Sequence, residues 1–159
     1  MTIQGWDKAV SLLKEESSYD FKVTKLIRLS DDQNYFILLD PFGKKHLMFD
    51  RYYIHYGIRE GDIVNCRVDK INCNGKIYLE PRHPYYQKDQ VCEMEFLDIK
   101  EVESSKKKKS NILFVNDSFK STAVLLDVIP SLYKDYLSKK ITVKVKYIKK
   151  ARLYLNVKE

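Results

Sequence analysis

No apolar run in this chain approaches the roughly 20 residues needed to span a bilayer. Cysteine is sparse: Cys66, Cys73 and Cys92 are odd in number and lack C-x-x-C spacing, which reads as reduced thiols rather than a disulfide frame. The opening Met1-Thr2-Ile3-Gln4 has neither a basic n-region nor an apolar h-region, so no export and a cytoplasmic location are expected. Enzyme signatures are missing too. There is no G-x-S-x-G, Walker A, Rossmann fingerprint or H-E-x-x-H. His46, His55 and His83 share no metal-ligand spacing, and a joint site of His83 with the cysteines is not expected. Acids such as Asp31, Asp32, Asp98 and Glu101 fall at turns and strand ends, where carboxylates usually bond to their own backbone. No catalysis, metal or cofactor is assigned, and no membrane partner.

What is present is enough to build a core. Hydrophobic residues are 44% and charged residues 32% of 159, which fits one ordinary domain or two minimal ones of roughly 70 residues each. The net charge of +7 is unevenly spread: residues 1–89 carry 14 Lys/Arg against 13 Asp/Glu, residues 90–159 carry 15 against 9. Residues 139–159 hold eight basic side chains and one acid, Glu159. A surface so lopsided attracts polyanions. The plainer alternative is a set of lysines that blunt an exposed strand edge.

Along the chain, Trp6, Ala9, Val10 and Leu13 recur at helical spacing, with Asp7 early and Lys14 late, so residues 5–16 are expected to form a short amphipathic helix. The pattern then changes to strands at 21–27, 34–39 and 44–49, with the turn Asp40-Pro41-Phe42-Gly43 between the last two. An irregular aromatic stretch, 50–58, precedes strands at 63–71 and 76–79, joined through Asn74-Gly75, which tolerate positive φ. Pro81 and Pro84 are expected to end this module, with His83 at the junction.

The second half repeats the order. An offset of 77 residues lays 40–71 over 117–148 without a gap, putting Asp40 on Asp117, Tyr56 on Tyr133, Val68 on Val145 and Ile71 on Ile148. The connector at 130–137 can form a helix with Pro130 in its first turn. Three strands, a connector and two strands, twice over, predict a mainly all-β protein: a short N-terminal helix (1–18) and tandem OB-fold-like five-stranded barrels at 19–87 and 88–159. An SH3-like barrel or a split sandwich is the structural alternative.

Gly61-Asp-Ile-Val-Asn-Cys-Arg-Val-Asp-Lys-Ile71 followed by Gly75-Lys-Ile-Tyr-Leu79 resembles the closing strands of S1-like OB domains of RNA-binding proteins. Residues 34–39 with Gly43 echo that family's second strand and turn; its glycine-rich second strand and third-strand histidine are not clearly matched. Such barrels bind across strands 2 and 3, flanked by the 1–2 and 4–5 loops, with aromatics stacking on bases and Lys/Arg meeting phosphates. The resemblance therefore implies a single-stranded RNA or DNA partner. The expected contacts are Lys25, Arg28, Tyr35, Lys44 and His46 in the first copy. In the second they are Lys106, Lys107, Lys108 and Lys109 in a loop at 101–110, then Phe114 and Lys120, then Lys144, Lys146 and Arg152 on a basic outer stripe. Alternation allows only one of Tyr35 and Phe36 to face outward. A protein-interaction module is the alternative function.

Overall fold

Alternating apolar and polar side chains give ten strands in the computed structural model, which describes residues 12–103 and 108–158. The chain divides into two units between Arg82 and His83. The first holds β1 (Ser18–Arg28), β2 (Asn34–Leu39), β3 (Lys45–Phe49), β4 (Ile63–Ile71) and β5 (Ile77–Pro81). The second holds β6 (Val91–Glu103), β7 (Lys109–Val115), β8 (Thr122–Leu125), β9 (Lys140–Lys149) and β10 (Arg152–Val157). A 3₁₀ turn sits between the third and fourth strands of each, Ile54–Tyr56 and Pro130–Tyr136.

In the first unit the strand order is β3-β2-β1-β4-β5, an open five-stranded sheet. The second closes into a barrel, β10-β8-β7-β6-β9, sealed by a parallel pairing of β8 with β10. Both therefore share one pairing scheme, and only the final seam differs. In the first unit β3 and β5 approach without a ladder. Tyr53, in the connector after β3, donates its hydroxyl 2.9 Å to the buried Glu80 carboxylate on β5.

The first strand of each unit is long because it serves two partners. The start of β1 pairs with β4 and its end with β2; β6 does the same with β9 and β7. A bulge lets it turn from one partner to the next, between Val23 and Lys25 in β1 and between Phe96 and Asp98 in β6. The fourth strands bulge as well, β4 between Val68 and Lys70 and β9 between Val145 and Tyr147. These last two sites lie 77 residues apart, the offset found in sequence. Inward positions agree also: Cys66 and Val68 correspond to Val143 and Val145, and all four are fully buried. Each such side chain contributes about 1.5–3 kcal/mol by leaving water. Tyr133 plugs the second barrel, its hydroxyl donating to Leu125 O at 2.9 Å and accepting from Leu125 N at 3.1 Å.

Three expectations change. The helix expected at 5–16 lies mostly outside the described residues. Its last part, 12–16, forms a bend and a turn with Glu16 at φ 67°. The backbone is needed elsewhere: Glu16 N–H donates to Val68 O and the Glu15 carboxylate takes Ile71 N–H, so this stretch runs beside β4. Pro81 does end the module, next to last in the first unit, but from within the ladder rather than beyond it: it closes β5 opposite Cys66, at the tip of an edge strand where a missing N–H is tolerated. The division falls ahead of the expected 87/88 because His83 and Tyr86 belong to the second unit. His83 Nδ1 accepts from Tyr85 and Tyr86 N–H, and the Tyr86 hydroxyl donates to Asp117.

With its own closed core, the second unit should stand alone. Residues 83–159, expressed separately, are expected to show one cooperative thermal transition; a broad, gradual melt would make the barrel dependent on the first unit.

Candidate nucleic-acid interface

The outer face of β2 and β3 is set by one turn. Phe42 and Lys44 N–H donate to Asp40 Oδ1 at 2.8 and 2.9 Å, and Gly43 takes φ 89°, so the hairpin closes with Leu39 opposite Lys45. Equal steps outward from that pair bring Tyr35 opposite Phe49. Directly opposed residues share a face, and Phe36, next along, is buried. The second unit builds the same turn at the same offset: Phe119 and Ser121 N–H donate to Asp117 Oδ1, both at 3.0 Å, and Lys120 takes φ 49° in Gly43's place.

Burial alone would raise the Asp40 pKa. Hydrogen bonds from His46, Lys44 and Phe42 outweigh it and hold the carboxyl below its ordinary value. His46 Nε2 lies 2.8 Å from Asp40 Oδ2, its side chain only 7% exposed, and its ring meets Phe21 edge-on. The expected ligand contact of His46 is thus turned inward, where it braces the turn.

Tyr35 faces outward as expected, but not alone. Its ring stacks on Phe49 at 4.6 Å and 27°, and Phe49 meets Tyr52 edge-on at 6.4 Å. The exposed Arg51 guanidinium lies 5.3 Å from the Phe49 centroid and 4.9 Å from that of Tyr52, and donates 2.8 Å to the Tyr52 hydroxyl. The Tyr35 hydroxyl donates 2.7 Å to Asp31, which raises the phenol's pKa and lowers the carboxyl's. Further along the same face, Lys25 opposes Ile37, which opposes Leu47; beyond them Lys22, Leu39 and Lys45 form the next row. The face thus grades from an aromatic end carrying Arg51 to a basic end. Lys44 falls in the turn, and Arg28 reaches Asp32 at 3.6 Å on an exposed edge. Sequence reading missed Phe49, Arg51, Tyr52 and Lys22. The first is recoverable by counting the ladder out from the Asp40 turn.

In the second unit the expected site disperses. Lys106 and Lys107 lie outside the described residues. Lys108 is exposed, and β6 runs to Glu103, so the loop is shorter than 101–110. Lys109 opposes Glu103 and lies 3.5 Å from Glu101. Phe114 faces outward between Asp98 and Thr122, with no cation among its cross-strand partners. Lys120 is exposed in its turn, and Lys144 lies 4.0 Å from Asp89. On β9 the stripe holds only as far as the bulge. There Lys146 becomes the extra residue, and Tyr147 and Lys149 take the outer positions, opposite Tyr154 and Arg152.

Among the described residues no three His, Cys, Asp or Glu side chains converge as a metal site, and no helix is long and apolar enough to cross a membrane. The chain matches no known family model and no curated protein sequence.

His83 supplies a pH test of the second unit. It is 5% exposed, and its Nδ1 accepts two backbone N–H groups, an arrangement only the neutral ring can keep. Burial pushes its pKa down to about 4, against a nearby Asp117 that pulls upward, from an ordinary 6.5. Between those values the unfolded chain binds a proton that the folded one does not. The stabilisation is therefore complete above pH 6.5, lost as pH falls toward about 4, and constant below. Each unit of difference is worth about 1.4 kcal/mol. Denaturant titrations of wild type and His83→Gln should converge across that window; a gap that stays constant would contradict the assignment.

Proposed function

We propose that the chain is a non-enzymatic, single-strand nucleic-acid-binding protein built from two OB-type barrels, with RNA or DNA as ligand. The observation that carries this reading is the outward cluster of Tyr35, Phe49, Tyr52 and Arg51 beside Lys22, Lys25 and Lys45. Aromatic faces accept any unstacked base, and nearby cations meet the phosphates between bases. Arg51 over two rings adds a planar cation on which a base can also stack. The OB reading is supported by the shared pairing scheme, in which the first strand joins the second and fourth and the second joins the third. The parallel pairing of β8 with β10 supports it in the second unit. The basic excess of residues 90–159 draws a polyanion toward the chain.

A protein-docking reading is favoured by one observation. At the 77-residue offset from Phe49, Tyr52 and His55, the second unit carries Leu126, Ile129 and Leu132, exposed at 42%, 66% and 46%. Aliphatic side chains there suit an apolar surface better than a base.

The two readings separate in a binding titration of the full chain with labelled oligothymidylate and oligouridylate. Affinity should fall as salt rises and favour a single strand over a duplex. Tyr52→Leu and Tyr35→Leu should each weaken binding about fivefold or more, since a base stack contributes about 1–3 kcal/mol. Arg51→Gln should reduce the log–log salt slope by roughly 0.7. No binding at about 50 mM salt, where screening is weak, would reject nucleic acid and leave the aliphatic surface as the one to pursue.

A further inference from the structure

The fourth and fifth strands of the second unit carry a surface that the first unit does not. Tyr147 and Tyr154 oppose each other across β9 and β10, their rings 4.5 Å apart and within 15° of parallel. The ladder position corresponds to Lys70 opposite Tyr78 in the first unit, where Lys76 caps the ring instead. Tyr147 is 38% exposed. It reaches the outer face only because the bulge at Lys146 shifts the phase of β9 by one residue. Beside the pair, Arg152 opposes Lys149, and neither Lys146 nor Arg152 has an ion pair among the described residues. Elsewhere on the barrel, β6 and β7 set Glu101 and Glu103 against Lys109.

The turn that joins these strands adds an independent sign. Lys150 and Ala151 take φ 52° and 63°, the paired left-handed conformation of a two-residue hairpin turn. Asn-Gly suits such a turn; the first unit's β4–β5 connection is longer, with Asn72 N–H meeting Lys76 O, and takes positive φ at Gly75 alone. Here a lysine and an alanine hold a conformation that costs them stability, beside two further cations. Strain of that kind is a pointer to function when the residues could easily have been otherwise.

We infer that this β9–β10 face is a second strand-binding surface: a base stacks on the Tyr147–Tyr154 pair while Lys146, Lys149, Lys150 and Arg152 meet the flanking phosphates. The inference rests on the nucleic-acid reading above but places the second unit's contact away from Phe114 and the lysine loop. The ligand is a single strand, and an acidic protein segment is the competing occupant.

The test uses the full chain and an oligothymidylate of about 20 nucleotides, longer than the roughly 4–16 nucleotides that one barrel covers. Tyr147→Leu/Tyr154→Leu should weaken binding at least fivefold. Lys150→Asn/Ala151→Gly should raise the melting temperature yet lower both affinity and salt slope, the slope by about 0.7 for the single phosphate that Lys150 no longer neutralises. Should the tyrosine variant not fold, Lys146→Gln, at an exposed position, must flatten the slope. Wild-type affinity and slope in these folded variants, with Tyr52→Leu still impaired, would overturn the second surface and leave the first intact. No binding by wild type removes both. Variants that lose poly-glutamate while keeping oligothymidylate would give the surface to an acidic protein partner and overturn the inference.

Discussion

The outer face of the first unit depends on the buried Asp40 carboxylate. It accepts two backbone N–H groups and His46, and so fixes where the β2–β3 hairpin closes. A one-residue slip of β3 against β2 would carry Phe49 inward, away from Tyr35, and Met48 out to solvent. Each of these bonds to the buried, charged carboxylate is worth about 1.5–3 kcal/mol. The exposed ion pairs, Arg28 with Asp32 and Lys109 with Glu101, are worth at most about 1 kcal/mol apiece. Register is therefore decided inside the turn, and the surface charges follow it. Asp117 does the same in the second unit, with Ser121 and Tyr86 as additional donors.

Two units on one plan have come to present different surfaces. Where the first has Phe49 and Tyr52, the second has Leu126 and Ile129; where the second stacks Tyr147 on Tyr154, the first sets Lys70 against Tyr78. The matched inward positions, Cys66 and Val68 with Val143 and Val145, are apolar in both because each unit buries them. The outward positions differ because packing does not constrain them. Function on such a scaffold belongs to the site rather than the fold.

The strands were legible because turn chemistry and alternation agree. Asp40-Pro-Phe-Gly43 and Asn74-Gly75 mark hairpins, and Val64, Cys66 and Val68 read as one face. The bulges were harder, though their trace is present: Val145 and Ile148, like Val68 and Ile71, are three apart where strict alternation wants two. Reading the Lys144–Lys146 stripe straight through missed that step, and with it the outward turn of Tyr147. His46 was legible by the same count: it stands opposite Leu38 and two residues before Met48, so the alternation that turns Lys45, Leu47 and Phe49 outward turns it inward. The N-terminal apolar spacing fits a helix, but the described end of that segment spends its backbone groups on β4.

The central claim, that side chains placed outward by the Asp40 register form the ligand surface, is tested most directly by residue-resolved NMR. Isotope-labelled full chain would be titrated with oligothymidylate. The largest shifts are expected at Tyr35, Phe49, Arg51 and Tyr52, with the inward Phe36 and Leu38 undisturbed. Shifts confined to Leu126, Ile129 and Leu132, or none at saturating strand, would contradict it.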